Sequence, residues 1–284
     1  MSKIIDGKAI AKKHYQRLRN ECEQQGIQPQ LVVILVGTDP ASQVYVGRKG
    51  KIARKIGFLE QTIIFSNETT EAQLLETIDM LNQDDSIDGI LVQLPLPKHI
   101  SSQNILERIS PSKDVDGFHP INVGMLHSGM GGIVPCTAQG VLDILDDIST
   151  QDKTFQIEGK IAVVIGRSNI VGRPVAALLE QRNATVILCH SKTPNISNFT
   201  KQADILVVAV GRPNMISKDD IKEGSVVIDV GINRTEEGHL VGDVHFEDCK
   251  EKSSYITPVP GGVGPLTIAN LLNNTYLSHI QRKS

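Results

Sequence analysis

The sequence predicts a two-domain α/β protein built on parallel β-sheets. Short apolar runs rich in β-branched residues alternate with helical patterns along the whole chain, which is typical of βα units stacked on a parallel sheet. The 284 residues leave room for two ordinary domains. A polar stretch at residues 149–155 separates two groups of these runs and is a candidate hinge.

The first half of the chain is predicted to alternate between helices and strands. A helix is expected over residues 7–25, and the fully apolar run at 31–37 predicts a buried strand. Asp39 and Pro40 then predict an N-cap and the first turn of a helix that continues to about residue 56. The elements expected next are a strand at 62–65, a helix at 70–82, a strand at 88–97 and a helix at 101–109.

The second half is predicted to begin after a long irregular segment. Residues 110–136 are rich in glycine and proline and predict loops. Thr137 is expected to cap a helix that runs to residue 148. Parallel strands are then expected at 160–166, 184–190, 204–211 and 225–231, followed by a loop at 257–265 and a last helix at 267–280 that returns to the first domain.

Composition and cysteine usage exclude several classes of protein. The formal net charge of −3 gives no overall basic field that would favour nucleic acid. The N-terminus has no signal-like apolar run and no 18-residue apolar stretch exists, so we expect a cytoplasmic protein that does not contact a membrane. The cysteines are too scattered to predict a metal site or a disulfide framework: Cys22, Cys136, Cys189 and Cys249.

A glycine turn between a strand and a helix predicts a dinucleotide site at residues 161–174. Glycines there let the backbone approach a pyrophosphate, which the helix N-terminus then attracts. The usual GxGxxG spacing is not met: counted from Gly166, the later glycine positions hold Ser168 and Val171, and Gly172 comes one residue later. A structural turn in an α/β domain without a nucleotide is therefore the alternative.

The strand after this turn favours NADP as the cofactor. In NAD enzymes the end of that strand usually carries an acid for the ribose hydroxyls. Here it reads Cys-His-Ser-Lys-Thr at 189–193, and Arg167 stands in the glycine turn. A basic and hydroxylic pocket suits the additional phosphate of NADP. The alternative is that His190 and Lys192 are simply solvated loop residues.

A lysine on the helix after the first strand is the candidate chemical group. Tyr45, Lys49, Ile52 and Ile56 recur at helical spacing, so they share one face that is expected to be buried. A buried lysine is costly unless it has partners or a function. The alternative is that its stem packs while its ammonium group reaches water.

Three other segments carry candidate ligand-binding groups. Gln93 ends an apolar strand, where ligands bind in open α/β sheets. Asp114 and Asp116 lie in a predicted loop, where a carboxylate can point at a ligand or serve turn formation. The glycines at 261–262 let a backbone approach a flat ring system, or form a turn between domains.

Six ordered motifs carry a family resemblance that covers nearly the whole chain. They are SQVYVGRKGK, ILVQLPLP, PSKDVDGFHP, GRSNIVGRP, DVGIN and PGGVGPLT. Together they closely resemble the bifunctional methylenetetrahydrofolate dehydrogenase/methenyltetrahydrofolate cyclohydrolase family. One small departure is Leu266, where the family usually has methionine or phenylalanine.

The resemblance implies an activity and a division into domains. The enzyme would transfer hydride from methylenetetrahydrofolate to NADP⁺, and would then hydrolyse the methenyl cation to formyltetrahydrofolate. Residues 1–145, completed by 266–284, would form an αβα catalytic domain that binds the reduced folate. Residues 146–265 would form a Rossmann-type NADP-binding domain, with a cleft between the two and a homodimer formed through the cofactor domain.

The resemblance also implies roles for individual residues. Lys49 would be the key cyclohydrolase residue, Tyr45 would pack along the pterin and Gln93 would tune the lysine. Asp116 would anchor the amine edge of the pterin, completing the catalytic set. The remaining implied folate contacts are Leu94, Pro260, Gly261 and Gly262. The implied cofactor contacts are Gly166, Arg167, Ser168, Ser191 and the backbone of Ile232.

Three other functions compete with this one. The first is a dehydrogenase of another small substrate, such as a shikimate-type or amino-acid dehydrogenase. The second is an inactive folate or nucleotide sensor, which the intact set of Tyr45, Lys49, Gln93 and Asp116 disfavours. The third is a dehydrogenase without cyclohydrolase activity, which the same tyrosine, lysine and glutamine disfavour.

Overall fold

In the computed structural model, which describes residues 2–283, strands and helices alternate along the chain. The strands are β1 (Lys3–Ile4), β2 (Gln30–Val36), β3 (Leu59–Phe65), β4 (Gly89–Val92), β5 (Ile161–Ile165), β6 (Thr185–Cys189), β7 (Ile205–Val208), β8 (Val226–Asp229), β9 (Asn233–Arg234), β10 (Leu240–Val241) and β11 (Tyr255–Ile256). The helices are α1 (Gly7–Gln25), α2 (Pro40–Lys55), α3 (Glu71–Gln83), α4 (Ser102–Arg108), α5 (Pro120–His127), α6 (Cys136–Gln151), α7 (Gly172–Gln181), α8 (Ser197–Thr200), α9 (Phe246–Cys249) and α10 (Gly264–Lys283). Within these residues, no helix is both long and apolar enough to cross a membrane.

The chain divides into two compact units, each made of two separate stretches. The six-strand unit comprises Met1–Lys12 and Thr137–Thr267, and the three-strand unit comprises Lys13–Cys136 and Ile268–Ser284. This division differs from the domains proposed from the sequence at residues 1–12, 137–145 and 266–267. The first difference arises because β1 pairs in parallel with β11, so the N-terminus extends the sheet of the six-strand unit.

The three-strand unit is built on a parallel sheet in the order β3-β2-β4. Its central strand, β2, is apolar and buried from Leu31 to Val36, as is typical of a strand with both faces covered. Residues that alternate along β2 enter two hydrophobic clusters, Leu31, Val33 and Leu35 on one face and Val32, Ile34 and Val36 on the other. The last helix, α10, contributes Ile268, Leu271 and Leu272 to the first cluster.

The six-strand unit contains a sheet in the order β1-β11-β8-β7-β5-β6, and its neighbouring strands pair in parallel. The chain runs from β5 out to β6 on one side and then crosses to β7, β8 and β11 on the other. The strand order therefore reverses between β5 and β7. In doubly wound sheets, ligands bind at the carboxyl ends of the strands beside such a reversal.

The predicted and observed elements differ most in residues 110–136. This segment was predicted as loops, but it contains α5, with Pro120 in its first turn and His119 as its N-cap. The His119 Nδ1 atom accepts a hydrogen bond from the Ile121 N–H at 3.1 Å. Eight residues with a weakly amphipathic pattern gave no clear helical signal. In addition, α6 continues to Gln151, so helix covers the start of the predicted hinge at 149–155.

A capping box starts α3 and can be tested by one substitution. The Thr70 hydroxyl accepts from the Gln73 N–H at 3.3 Å, and the Gln73 side chain accepts from the Thr70 N–H at 2.9 Å. Thr70→Ala leaves an end N–H without its cap and should lower the free energy of unfolding by about 1 kcal/mol in urea denaturation. Thr77→Ala, inside the same helix, should be neutral or slightly stabilising. An equal loss in both variants would contradict the capping argument.

Candidate functional site

Lys49 lies on the buried face of α2 in the three-strand unit. Asp39 starts this helix by accepting a hydrogen bond from the Ser42 N–H at 2.8 Å, and Lys49 follows in the third turn. Its side chain is only 4% exposed. The Nζ atom donates to the Gln93 Oε1 atom at 3.0 Å and stands 4.7 Å from the centroid of the Tyr45 ring. The predicted stripe therefore brings a buried ammonium group between an amide and an aromatic face.

Gln93 is fixed in the orientation that Lys49 requires. It follows β4, and its backbone N–H donates to the Ile34 carbonyl at 2.8 Å. Its side-chain Nε2 donates to the Leu94 carbonyl at 2.7 Å. Because the amide nitrogen is engaged in this way, the Oε1 atom is the side of the amide presented to Lys49. Leu94 itself is half-buried and begins a cis peptide bond to Pro95.

The two aspartates of the KDVDG segment have different environments. Asp114 is buried and accepts hydrogen bonds from the Gly117 N–H at 3.2 Å, the His119 N–H at 2.8 Å and the Asn122 side chain at 2.9 Å. It therefore organises the loop. Asp116 keeps part of its side chain accessible and interacts electrostatically with Lys49. The second aspartate is thus the one available to a ligand.

A cysteine that the sequence did not single out completes this cluster. Cys136 is buried, donates to the Val115 carbonyl at 3.2 Å and interacts with the Asp116 carboxyl group. Asn274 of α10 donates to the same carbonyl at 2.9 Å. In the sequence, Cys136 is an isolated cysteine at the end of a predicted loop and has no motif partner. Its place in the cluster is a product of tertiary folding.

Burial perturbs all three titratable groups of the cluster. It lowers the pKa of the Lys49 ammonium group, although the nearby Asp116 and Cys136 favour the charged form. It raises the pKa of Asp116 to about 6, with Lys49 opposing the shift and Asp114 adding to it. It also raises the pKa of the Cys136 thiol well above its usual value, an effect that the Asp116 carboxylate reinforces. Such shifts are typical of sites that handle protons.

The glycine turn after β5 has the geometry of a phosphate-binding turn. Gly166 has φ of 115°, and a Cβ atom there would lie 2.2 Å from the Ala209 carbonyl oxygen. A Cβ atom at Gly172 would lie 1.9 Å from the Gly166 carbonyl oxygen. Gly172 therefore provides the close approach of helix and turn that the last glycine of GxGxxG provides, one residue later than the usual spacing.

The N-terminus of α7 opens beside this turn. The Ser168 hydroxyl accepts from the Val171 N–H at 3.2 Å and from the Gly172 N–H at 3.4 Å. Arg167 and Ser168 are both exposed. These features fit a dinucleotide pyrophosphate. The glycine turn is narrow, the ten-residue helix α7 has its positive end at the turn, and Arg167 is exposed beside it.

The end of β6 carries hydroxyl and basic groups instead of an acid. The His190 N–H donates to the Thr193 hydroxyl at 3.0 Å, and the His190 Nδ1 atom accepts from the Lys192 N–H at 3.2 Å. This compact turn leaves Ser191 and Lys192 exposed. Ile232, between β8 and β9, is 60% exposed. The exposed Ser191 and Lys192 fit the phosphate-bearing ribose of NADP better than the two free hydroxyls of NAD.

The expected folate contacts divide between the two units. Tyr45, Lys49, Gln93, Leu94 and Asp116 belong to the three-strand unit, whereas residues 260–262 belong to the six-strand unit. In that second segment Pro260 follows a cis peptide bond and Gly261 has φ of 118°. Across residues 2–283, no group of three or more His, Cys, Asp or Glu side chains is arranged to hold a metal ion.

Both halves of the chain match protein-family models. Residues 5–116 match the catalytic-domain model of tetrahydrofolate dehydrogenase/cyclohydrolase, and residues 135–283 match its NAD(P)-binding-domain model. The chain is 55% identical over 278 residues to the bifunctional protein FolD of Bacillus subtilis (strain 168), covering 97% of this chain and 96% of that protein.

Solved structures agree with the family models. The bifunctional FolD methylenetetrahydrofolate dehydrogenase/cyclohydrolase of Campylobacter jejuni has a TM-score of 0.94 and 50% identity, covering 99% of this chain and 100% of that chain. The Trypanosoma brucei methylenetetrahydrofolate dehydrogenase-cyclohydrolase, solved with NADP and an inhibitor, has a TM-score of 0.92 and 39% identity, covering 99% and 98%.

These similarities confirm the two-domain α/β fold, the bifunctional folate activity and the NADP cofactor predicted from the six motifs. They also favour the folate substrate over the small substrates of other dehydrogenases. The chain belongs to the tetrahydrofolate dehydrogenase/cyclohydrolase family.

Proposed function

We propose that the Lys49 cluster binds the reduced folate for both reactions, oxidation by NADP⁺ and hydrolysis of the product. The observation that carries this proposal is the buried Lys49 ammonium group, held by the Gln93 oxygen at 3.0 Å over the Tyr45 ring. Such an arrangement costs desolvation energy, which a purely structural lysine would avoid by reaching water. An aromatic face beside it suits a flat pterin.

In the oxidation step, the protein has to hold the folate and the cofactor in position. Bound NADP⁺ would supply the acceptor for the hydride of the methylene carbon. No side chain needs to donate or remove a proton in that step, so the protein contributes alignment of the two reactants. Asp116 would hold the amine edge of the pterin, and Tyr45 would pack along the ring.

The hydrolysis step requires a protein group that accepts or donates protons. Water attacks the cationic methenyl carbon and loses one proton, which gives a neutral adduct with a hydroxyl group. That hydroxyl loses its remaining proton as the formyl carbonyl forms and the bond to one ring nitrogen breaks. The nitrogen takes up one proton, so one proton is released overall. A lysine with a lowered pKa can act as the base or as a positioned donor in this sequence. Gln93 accepts from the Nζ atom and keeps the amine in place for either role.

Paired assays on one purified preparation test the proposal. NADPH formation from methylenetetrahydrofolate measures the first reaction, and loss of the near-ultraviolet absorbance of methenyltetrahydrofolate measures the second. Both activities are expected, and a folate inhibitor that occupies one pocket should suppress both with the same potency. Inhibition of only one activity would contradict a shared folate site.

The rise in the Asp116 pKa predicts a pH dependence of folate use. The carboxylate is charged above about 6 and becomes protonated as pH falls through that value. The kcat/KM for methenyltetrahydrofolate should therefore decline on the acid side of about pH 6, because the anchor for the pterin amine loses its charge. Asp116→Asn should give a lower rate without this acid limb, whereas Asp85→Asn, at an exposed carboxylate, should retain it. Persistence of the limb in Asp116→Asn would contradict the assignment.

The turn after β6 predicts a preference for NADP over NAD. Ser191→Asp should repel the additional phosphate and weaken the preference by roughly 1–3 kcal/mol, as expected for lost charge-assisted bonds. The ratio of kcat/KM values for the two cofactors measures this. Ser191→Asn has a similar size without the charge and should change the ratio less. Equal use of both cofactors by the unmodified enzyme would contradict the prediction.

We also propose a homodimer formed through the six-strand unit, in the cytoplasm. The edge strand β6 keeps Val186, Ile187 and Leu188 partly exposed, which supports association at this edge. All four cysteines are buried and none is in a disulfide within the described residues, as suits a reducing compartment. Light scattering on the purified protein should give twice the chain mass.

A further inference from the structure

A buried carboxylate ties together two loops at the carboxyl edge of the six-strand sheet. Asp243 is fully buried. Its Oδ2 atom accepts hydrogen bonds from the Val210 N–H at 2.7 Å and the Gly211 N–H at 3.0 Å. Its Oδ1 atom accepts from the Arg212 N–H at 2.8 Å and from the Asn233 side chain at 2.8 Å. One side chain thus fixes both the loop after β7 and the segment after β8.

A second buried carboxylate holds the first in place. Asp229, at the end of β8, accepts from the Asp243 N–H at 3.0 Å, the Val244 N–H at 2.8 Å and the Gly231 N–H at 2.9 Å. Burial raises the pKa of Asp229 to about 6, and the hydrogen bonds from these backbone N–H groups oppose the rise. Each of the two carboxylates accepts at least three hydrogen bonds from N–H groups, so each fixes several backbone positions at once.

Glycines make room for this pair. A Cβ atom at Gly231 would lie 2.2 Å from the Asp243 Cγ atom, and one at Gly242 would lie 1.8 Å from an Asp229 oxygen. Two glycines and two aspartates therefore form one packed arrangement. The motif DVGIN contains Asp229, Gly231 and Asn233. It did not predict that Gly242 and Asp243 pack against these residues, because Asp243 lies 14 residues after Asp229.

This arrangement lies where the strand order reverses. The loop that Asp243 fixes follows β7 directly, and the Ala209 carbonyl at its start is the atom against which Gly166 packs. Ile232, whose backbone is an expected cofactor contact, stands between Gly231 and Asn233, and both neighbours are held by the carboxylates. A continuous series of close contacts and hydrogen bonds thus extends along this edge from the glycine turn to the neighbours of Ile232.

We propose that Asp243 is a positioning residue for the dinucleotide cofactor, which shapes this part of the site by fixing the loops after β7 and β8. The inference rests on the proposed placement of NADP at this edge. Asp243 touches neither substrate nor cofactor in this scheme; it acts through the backbone of 210–212 and through Asn233.

Asp243→Asn tests the inference, because the amide that replaces the carboxylate turns a donor toward backbone N–H groups. NADP binding by calorimetry and the KM for NADP should weaken about 10- to 100-fold, as expected when hydrogen bonds to a charged acceptor are lost. The cyclohydrolase rate, measured without cofactor, should change less than about twofold, because the Lys49 cluster is untouched.

Asp204→Asn is the matched control within the same sheet. Asp204 precedes β7 and accepts from the Ile161 N–H at 2.9 Å and from the Lys222 ammonium at 2.6 Å, at the amino ends of the strands. Its loss should lower the thermal midpoint and leave NADP affinity unchanged. If Asp243→Asn prevents folding, Asn233→Ala removes one of the four bonds and should still weaken NADP binding about threefold or more.

The outcomes separate the inference from the proposed function. Unmodified protein that fails to bind NADP would defeat the placement of the cofactor. Unmodified protein that binds NADP, with unchanged affinity in Asp243→Asn or in Asn233→Ala, would overturn only the role of Asp243. A proportional loss of both activities in Asp243→Asn, with a thermal midpoint lowered as in Asp204→Asn, would show that Asp243 contributes only to general stability and would also overturn the inference.

Discussion

Lys49→Met should reduce the cyclohydrolase rate by a factor on the order of 10²–10⁴, the range typical of lost general acid–base catalysis. The methionine keeps most of the stem volume but removes the amine that donates to Gln93. Dehydrogenase activity should fall less, because hydride transfer depends on alignment. Both rates measured on the same folded preparation decide between these effects.

Lys51→Met is the matched control, because Lys51 lies on the same helix and is exposed. It should leave both activities near those of the unmodified enzyme. A parallel loss of both activities in Lys49→Met would contradict the division of labour, since it would make Lys49 a binding residue for the folate. An unaffected cyclohydrolase rate would remove the lysine from the hydrolysis altogether.

Gly172→Ala should damage the cofactor site and spare the folate site. The new Cβ atom would meet the Gly166 carbonyl oxygen at 1.9 Å, so α7 and the glycine turn must separate. Displacement on the scale of an ångström can cost about 10²-fold in rate, and we expect a comparable loss in dehydrogenase kcat/KM for NADP. The overpacking should also lower the free energy of unfolding by about 1–3 kcal/mol.

Gly124→Ala provides the comparison for this variant. Gly124 is inside α5, and a Cβ atom there would meet nothing within 4 Å. That variant should retain both activities and gain slight stability from the better helix propensity of alanine. Cyclohydrolase activity measured without cofactor should survive in Gly172→Ala, and an unchanged KM for NADP in that variant would contradict the proposed fit of the turn.

The sequence predicted the parts of the site that depend on local spacing. The i, i+4 pattern of α2 was enough to place Tyr45 and Lys49 on one face, because helical geometry fixes that relation. The run of apolar residues likewise predicted β2 and the strands of the second sheet. The position of Gln93 at the end of β4 followed from the same reasoning about strand ends.

Contacts between distant segments could not be predicted in this way. The glycine spacing gave no sign that Gly172 packs on Gly166, because the usual motif counts one residue fewer. Their place in a predicted loop did not distinguish Asp114 from Asp116, and only the family resemblance favoured Asp116. The hydrogen bonds from residues 117–122 identify Asp114 as the carboxylate that organises the loop. Cys136 and Asp243 had no motif, so only the folded chain gives them neighbours.

The N-terminal stretch belongs to the six-strand unit and the C-terminal stretch to the three-strand unit, which has a consequence for folding during translation. The three-strand unit takes its strands from the first part of the chain, but α10 completes its hydrophobic cluster. During translation, that cluster therefore remains incomplete until α10 has left the ribosome. The six-strand unit, by contrast, has all of its strands once β11 has emerged. The part of the enzyme that is translated first should thus be finished last, and truncation within α10 should leave the half that holds Lys49 unfolded.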